Sequence, residues 1–185
     1  MNIRYPAAFK ETYIRPEGRL EIGPLASWVP SAKHLIRPYA FDVLPEVFEK
    51  PSCEVRAIAA ERTFWEKATI LHQEAHRQAQ IPTRYSRHYY DLYKLAISPV
   101  RIAALADVKL LQDVVTFKQR FYPSNWARYD LAAPGSLQLL PSTPAHVRGL
   151  EKDYEEMQVM LFGDTPEFRD ILDELKRLGD EINSI

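Results

Sequence analysis

The fold is decided by a stretch at residues 60–72 that reads AERTFWEKATILH and by a second at residues 87–92 that reads RHYYDL. In the first stretch the apolar residues recur at helical spacing, with Phe64 and Leu71 on one face. Lys67 lies three residues after Phe64 and four before Leu71, so it shares that face. A buried ammonium must find a partner or lose its proton. We therefore expect Lys67 either to meet an anion or to extend along the core until its ammonium reaches water.

Asp91, in the second stretch, has two alternative roles. Arg87 precedes it by four residues and Lys94 follows it by three, and both spacings allow ion pairs along one helix. The alternative is that Asp91 orients a base, a substrate or the ammonium of Lys67, because its helix is rich in tyrosine and half-buried in character. The residues alone leave both roles open.

Working outward, the sequence predicts an α+β fold that is mostly helical, in which short N-terminal strands are followed by a helical bundle. Ser86 and Thr165 are the expected N-caps of two helices. Residues 122–143 are rich in proline and are expected to form a loop with one short strand. Strands are expected at 19–23, 34–39 and 53–58, and helices at 59–79, 86–97, 101–106, 107–121, 144–162 and from 165 onward.

Composition narrows the class of protein. The chain has 185 residues, 46% hydrophobic and 26% charged, and a formal net charge of −1, so it lacks the global basic field that non-specific nucleic-acid binding needs. The single Cys53 excludes a disulfide framework and a cysteine-based zinc site, and it suits a reducing cytoplasm. No stretch approaches 18 apolar residues, so we expect a cytoplasmic protein without a membrane partner.

Two further groups resemble metal ligands. His72 and His76 lie at i and i+4 on one helical face, but a zinc protease needs its glutamate directly after the first histidine. Here the acid is Glu74, about 200° around the helix from His72 at ~100° per residue, so zinc hydrolysis is the weakest hypothesis. Glu21, in a predicted strand, is placed as a Mg²⁺ ligand could be, although one acid does not hold the ion and an outward-facing strand residue is the alternative.

Three segments, in this order, resemble the AbiEii/AbiGii-type nucleotidyltransferase toxin family of polymerase-β-like nucleotidyltransferases. They read LEI at 20–22, ERTFWEKATIL at 61–71 and RHYYDL at 87–92, and the resemblance covers most of residues 10–185. It implies the Mg²⁺-dependent toxin of a type IV toxin–antitoxin or abortive-infection system. Such an enzyme transfers a nucleotide from an NTP to an acceptor, with tRNA as a candidate acceptor and a cognate antitoxin as a candidate partner.

The resemblance also assigns residues. Lys67 matches the helical lysine expected to contact the nucleotide phosphates, Asp91 matches the helical aspartate expected to orient Lys67 or the acceptor, and Glu21 matches a strand acid expected to help hold the metal. Arg87 and Glu61 flank them as nucleotide-binding candidates.

The family's Gly-Ser turn and Asp-x-Asp pair are absent from the sequence. We therefore expect the C-terminal part of such an enzyme, inactive as this chain alone, with residues 1–58 left from the α/β core and residues 59–185 as a helical domain.

A second hypothesis needs no catalysis. The chain would then be a helical module that binds RNA or a partner antitoxin through a set of basic residues, namely Arg84, Arg87, Lys118, Arg120 and Arg128.

Overall fold

The computed structural model describes residues 1–6, 8, 14, 16–20, 22 and 27–185. This part of the chain is mostly helical with two short antiparallel sheets, which confirms the predicted α+β class. The strands are β1 (Asn2–Arg4), β2 (Glu17–Arg19), β3 (Ser31–Ile36) and β4 (Cys53–Ile58). The helices are α1 (Ala60–Ala75), α2 (Ser86–Ala96), α3 (Val100–Ala106), α4 (Val108–Phe121), α5 (Pro144–Met157) and α6 (Phe168–Ile182).

Each sheet is a single strand pair. β1 pairs with β2, and β3 pairs with β4 in a register that joins Ser31 to Ile58 and Ile36 to Cys53. The prediction of β4 is confirmed. The strand expected at 34–39 lies earlier, because Pro38 lacks the N–H that would continue the ladder. The strand expected at 19–23 is also earlier, at β2, where its partner β1 ends the pairing at Arg19; residues 21 and 23 lie outside the described residues.

The core is built around α1. Phe64, Trp65, Ala68 and Leu71 are fully buried on its apolar face. α1 packs against α2, α3 and α4, while α2 also packs against α5 and α6. The ring of Tyr89 on α2 meets that of Phe168 on α6, with centroids 6.1 Å apart. The apolar stripe seen in the sequence therefore decides which helices surround α1.

Several helix ends differ from the prediction. α1 ends at Ala75, four residues early, and α5 ends at Met157, followed by one 3₁₀ turn at Gln158–Met160. α6 begins at Phe168 with Glu167 as its N-cap, so the N-cap assigned to Thr165 is wrong. The Tyr154 hydroxyl donates to the Pro166 carbonyl at 2.8 Å, a tertiary contact that ties this carbonyl to α5 just before the helix begins.

Residues 122–143, all of them described, contain no strand. Two 3₁₀ turns, Asn125–Ala127 and Tyr129–Leu131, occupy the middle of this segment. Arg128 between them has a φ of 47°, in the left-handed region. A left-handed residue between two 3₁₀ turns is not extended backbone, so the expected short strand does not form in this part of the segment.

Within the described ranges, none of the helices combines the length and the apolar character that crossing a bilayer requires.

Candidate functional site

Lys67 on α1 and Asp91 on α2 form an ion pair between the two helices. The Lys67 Nζ donates to Asp91 Oδ2 at 2.6 Å, and the two side chains are 20% and 42% exposed. Asp91 therefore contacts Lys67 rather than Arg87 or Lys94, its possible partners along α2. Of the two roles left open for Asp91, the structure has the one in which it contacts Lys67. This pair is at the surface end of the α1–α2 packing, where a ligand can reach it.

His88 is the third member of this group. The Lys67 ammonium, which can only donate, also contacts His88 Nδ1 at 3.1 Å, so the neutral ring accepts there and carries its proton on Nε2. Burial of the ring, and then the charges of Lys67, Arg87 and Lys118, lower the pKa of His88 to about 3. The imidazole is thus neutral at physiological pH. Two of the three N–H donors of Lys67 are used by described residues, and one remains for a ligand.

Lys118 on α4 adds a further cation. Its Nζ donates to the backbone carbonyl of Glu66, the residue before Lys67, at 3.2 Å. Burial lowers the pKa of Lys118 to about 8, with Glu66 raising it and Lys67 lowering it to smaller extents. The Glu66 carboxylate is itself bound to Arg62, with Nε to Oε1 at 3.0 Å. Positive charge therefore outweighs negative charge around His88.

A carboxylate from α5 positions the start of α2. The buried Asp153 accepts from the backbone N–H of Arg84 at 2.5 Å, from that of Ser86 at 2.9 Å and from the Ser86 hydroxyl at 2.6 Å. Ser86 is the first residue of α2 rather than its N-cap, which is Tyr85, so the predicted cap is wrong by one position. Asp153 performs the capping from another helix, and a negative charge is favourable at this end of a helix.

The remaining predicted residues are spread more widely. Arg87 is exposed on α2 and close enough to His88 to affect its pKa. Glu61 is in the first turn of α1, six residues or about 9 Å along the helix from Lys67, and within the described part of the chain no contact joins it to Lys67, Arg87 or Asp91. Glu21 lies outside the described residues.

Of the two paired histidines, His72 has a structural role in α1. His72 is fully buried, its Nε2 contacts the Arg128 carbonyl at 2.9 Å, and its Nδ1 accepts from the Gln138 N–H at 3.1 Å. Both ring nitrogens are therefore engaged, and burial lowers the pKa of His72. The described residues contain no group of three or more His, Cys, Asp or Glu side chains that could hold a metal ion. His72 thus joins α1 to the segment after α4.

Three residues that matter here, His88, Arg62 and Asp153, were not predicted from the sequence. His88 lies three residues before Asp91 and so shares its helical face, a signal that spacing alone provides. Arg62, which is 2% exposed, donates from Nη1 to the Val29 carbonyl at 2.7 Å and ties the segment before β3 to α1. Asp153 belongs to an ordinary amphipathic helix, and nothing in its local sequence marks it as a cap.

The fold and this cluster together define a class: a helical domain that presents several cations around one exposed lysine–aspartate pair, which suits the binding of a phosphorylated ligand. The chain belongs to the AbiEii family, because residues 1–174 match the family model described as nucleotidyl transferase AbiEii toxin of type IV toxin–antitoxin systems. The resemblance inferred from the sequence is thereby confirmed. No curated protein and no solved structure is significantly similar to the chain.

Membership of this family makes the protein a nucleotidyltransferase toxin, and it implies a nucleotide substrate and an antitoxin partner.

Proposed function

We propose that the chain contributes to the transfer of a nucleotide from an NTP to an acceptor RNA, with tRNA as the acceptor. Lys67 contacts the phosphates of the NTP, and Asp91 holds the Lys67 ammonium in place. Arg87, which is exposed on α2 next to His88, adds positive charge near this pair. The observation that carries this proposal is the 2.6 Å contact between Lys67 and Asp91, which joins the two segments of family-like sequence across two helices.

The chemistry of the pair supports these roles. A lysine held by an acid keeps its charge and its direction before the ligand arrives, which reduces the ordering cost of binding. Charge-assisted hydrogen bonds to phosphate are about twice as strong as neutral ones. Because Asp91 competes with phosphate for the same ammonium, it limits affinity while it fixes geometry. Orientation of this kind accelerates group transfer more than it tightens binding.

Nucleotidyltransferases of this family generally use a divalent metal ion, and Mg²⁺ is the ion that we propose. An Mg²⁺ ion prefers several oxygen ligands, carboxylates among them. The described residues do not form such a carboxylate cluster, so they do not fit the ion by themselves. Glu21 stays a proposed ligand from the family resemblance, and no role given to Lys67 or Asp91 depends on it.

Calorimetry with each of the four NTPs and Mg²⁺ tests the proposal on the full chain. We expect binding that Lys67→Ala weakens by about 10- to 100-fold, the equivalent of one charge-assisted contact. The matched control is Lys94→Ala, because Lys94 is exposed on α2 and three residues from Asp91, and it should bind like the unmodified chain. If no NTP binds at millimolar concentration, or if both variants weaken binding equally, the proposal is wrong.

Label transfer from radioactive NTP to tRNA separates binding from orientation, and in the unmodified chain it first tests the expectation that this chain alone is inactive. Asp91→Asn removes the competitor for Lys67, so NTP affinity should be unchanged or higher while transfer is lost. A variant that loses affinity and transfer together would contradict the role given to Asp91.

A further inference from the structure

Lys118 is held beside the lysine–aspartate pair without a carboxylate of its own. It is half-buried in the last turn of α4, and its only described hydrogen bond is the 3.2 Å contact with the Glu66 carbonyl. No ion pair joins it to any acid in the described part of the chain. The nearest acid, Glu66, raises the pKa of Lys118, but its carboxylate is bound to Arg62. The ammonium therefore loses hydration without a direct ion pair, which is unfavourable for the free protein.

The space around Lys118 is open to a small ligand. A cavity of about 190 Å³ lies between the end of β4, α1 and α4. Its polar lining comes from Ser27, Glu66, Lys118 and Tyr122, and its apolar lining from Ile58, Val114 and Phe117. The size fits a compact anion rather than a stretch of nucleic-acid backbone.

The charges near this cavity are unbalanced. Lys67 does not line the cavity, but it follows Glu66, whose carbonyl Lys118 contacts, and its ammonium lies 3.1 Å from His88 Nδ1. The charges of Lys67 and Lys118 both lower the pKa of His88. The two nearby acids are already engaged, Asp91 by Lys67 and Glu66 by Arg62. A ligand of high negative charge would offset the repulsion between the two lysines.

We propose that Lys118 is a second anion-binding residue of this site, and that with Lys67 it holds a terminal phosphate group of a polyphosphate, either the triphosphate of an NTP or the pyrophosphate released from it. The assignment rests on the proposed function for the identity of the ligand. The role of Lys118 itself rests on the burial, the cavity and the missing acid.

A proton link makes the proposal measurable. Because its pKa is about 8, Lys118 is about half protonated in the free protein at pH 8. A bound phosphate favours the charged form, so binding at pH 8 should draw about half a proton onto this side chain. The other titratable groups near Lys118 are Glu66 and Lys67 on α1, His88 on α2, and Tyr122 just after α4. His88 titrates far below pH 8 and adds nothing to this uptake.

The experiment is a calorimetric titration of the full chain with inorganic pyrophosphate at pH 8, in two buffers of different ionisation enthalpy. Lys118→Met should weaken binding at least tenfold and abolish the uptake. Lys118→Arg keeps the charge with a much higher pKa, so it should bind within a few-fold of the unmodified chain without taking up a proton. The ligand's own protonation is common to all titrations and cancels between variants. Lys109→Met, at an exposed position of α4, is the control and should change nothing.

Each outcome decides the question. Equal uptake in the unmodified chain and Lys118→Arg, or unchanged affinity in Lys118→Met, overturns the proposal. Repeating the titration with ATP distinguishes the two sources: parallel losses for ATP and pyrophosphate indicate the NTP triphosphate, and a loss for pyrophosphate alone indicates the released product. If Lys118→Met weakens the binding of tRNA but not that of pyrophosphate or ATP, the proposal is wrong and Lys118 contacts the RNA backbone instead.

The two proposals fail separately. Pyrophosphate binding that depends on Lys118, while no NTP binds, leaves this inference in place and removes the proposed function. Nucleotide transfer that Lys118→Met does not change leaves the proposed function in place and removes this inference.

Discussion

The buried carboxylate of Asp153 should be one of the most costly single side chains to remove from this protein. It accepts three hydrogen bonds at the start of α2, from the N–H groups of Arg84 and Ser86 and from the Ser86 hydroxyl. Hydrogen bonds to a charged group contribute about 1.5–3 kcal/mol each, and they are not fully additive. We expect Asp153→Ala to lower the free energy of unfolding by about 3–5 kcal/mol, because two buried donors of Ser86 and the partly buried N–H of Arg84 lose their acceptor.

Urea unfolding followed by circular dichroism measures this loss. For a chain of this length about 1 kcal/mol corresponds to 2–4 °C in melting temperature, so a thermal scan should show a drop of roughly 10 °C. Glu155→Ala, at an exposed position on the same helix, is the control and should stay within about 0.5 kcal/mol of the unmodified chain. Asp153→Asn should fall between the two, since the amide oxygen can still accept while its NH₂ group faces donors.

The result also bears on the site. α2 carries His88 and Asp91, so hydrogen exchange at residues 86–92 should accelerate in Asp153→Ala before global unfolding. A loss below about 1 kcal/mol, or exchange that does not change, would refute the view that this carboxylate holds α2 in place.

Three further outcomes are expected. His88 contributes stability above pH 6.5 that is lost as the pH falls toward about 3, because in this range only the unfolded chain binds the proton. Between pH 7 and pH 5 the free energy of unfolding should fall by about 2 kcal/mol. Urea midpoints that fall as steeply in His88→Asn would contradict this. Lys118→Met should raise the free energy of unfolding by about 1–2 kcal/mol at pH 7, a value discounted for the partial exposure of the lysine. This gain should shrink above pH 8, where Lys118 loses its proton in the folded chain. A variant less stable than the unmodified chain would argue against a cost of burying Lys118. His72→Phe should cost about 2–4 kcal/mol in the same assay, because the Arg128 carbonyl and the Gln138 N–H lose their partner on a fully buried ring. EDTA should leave the melting temperature of the unmodified chain unchanged.

The sequence placed Lys67 and Asp91 on two strongly periodic helices and gave Lys67 as one of several groups that Asp91 could contact. The spacing of Phe64, Lys67 and Leu71 placed the ammonium beside the core, and this required no knowledge of the neighbouring helices. What spacing could not provide was the choice among partners for Asp91. Arg87 and Lys94 are local candidates, and only the packing of α2 on α1 shows that Lys67 is nearer.

The contacts that the sequence could not predict join distant segments of the chain. Lys118 is 52 positions from the Glu66 carbonyl that it contacts, and Asp153 is 67 positions from Ser86. Local patterns carry no information about such distances. The same reason explains the error at α6. Thr165 is a residue type that commonly caps helices, but the Tyr154 hydroxyl binds the Pro166 carbonyl and α6 begins only after it. Capping preferences of about 1 kcal/mol are readily overridden by packing of this kind.

The position of the site along the chain has a consequence for how it is assembled during synthesis. Only residues 76–85 separate α1 from α2, so the loop that brings Lys67 to Asp91 is short and its closure costs little entropy. Local contacts of this kind form early in folding. The opposite face of α2 is covered by α6, the last helix in the described part of the chain to be translated. During synthesis the Lys67–Asp91 contact can therefore form early, while the face of α2 that packs against α6 stays uncovered until α6 has been made.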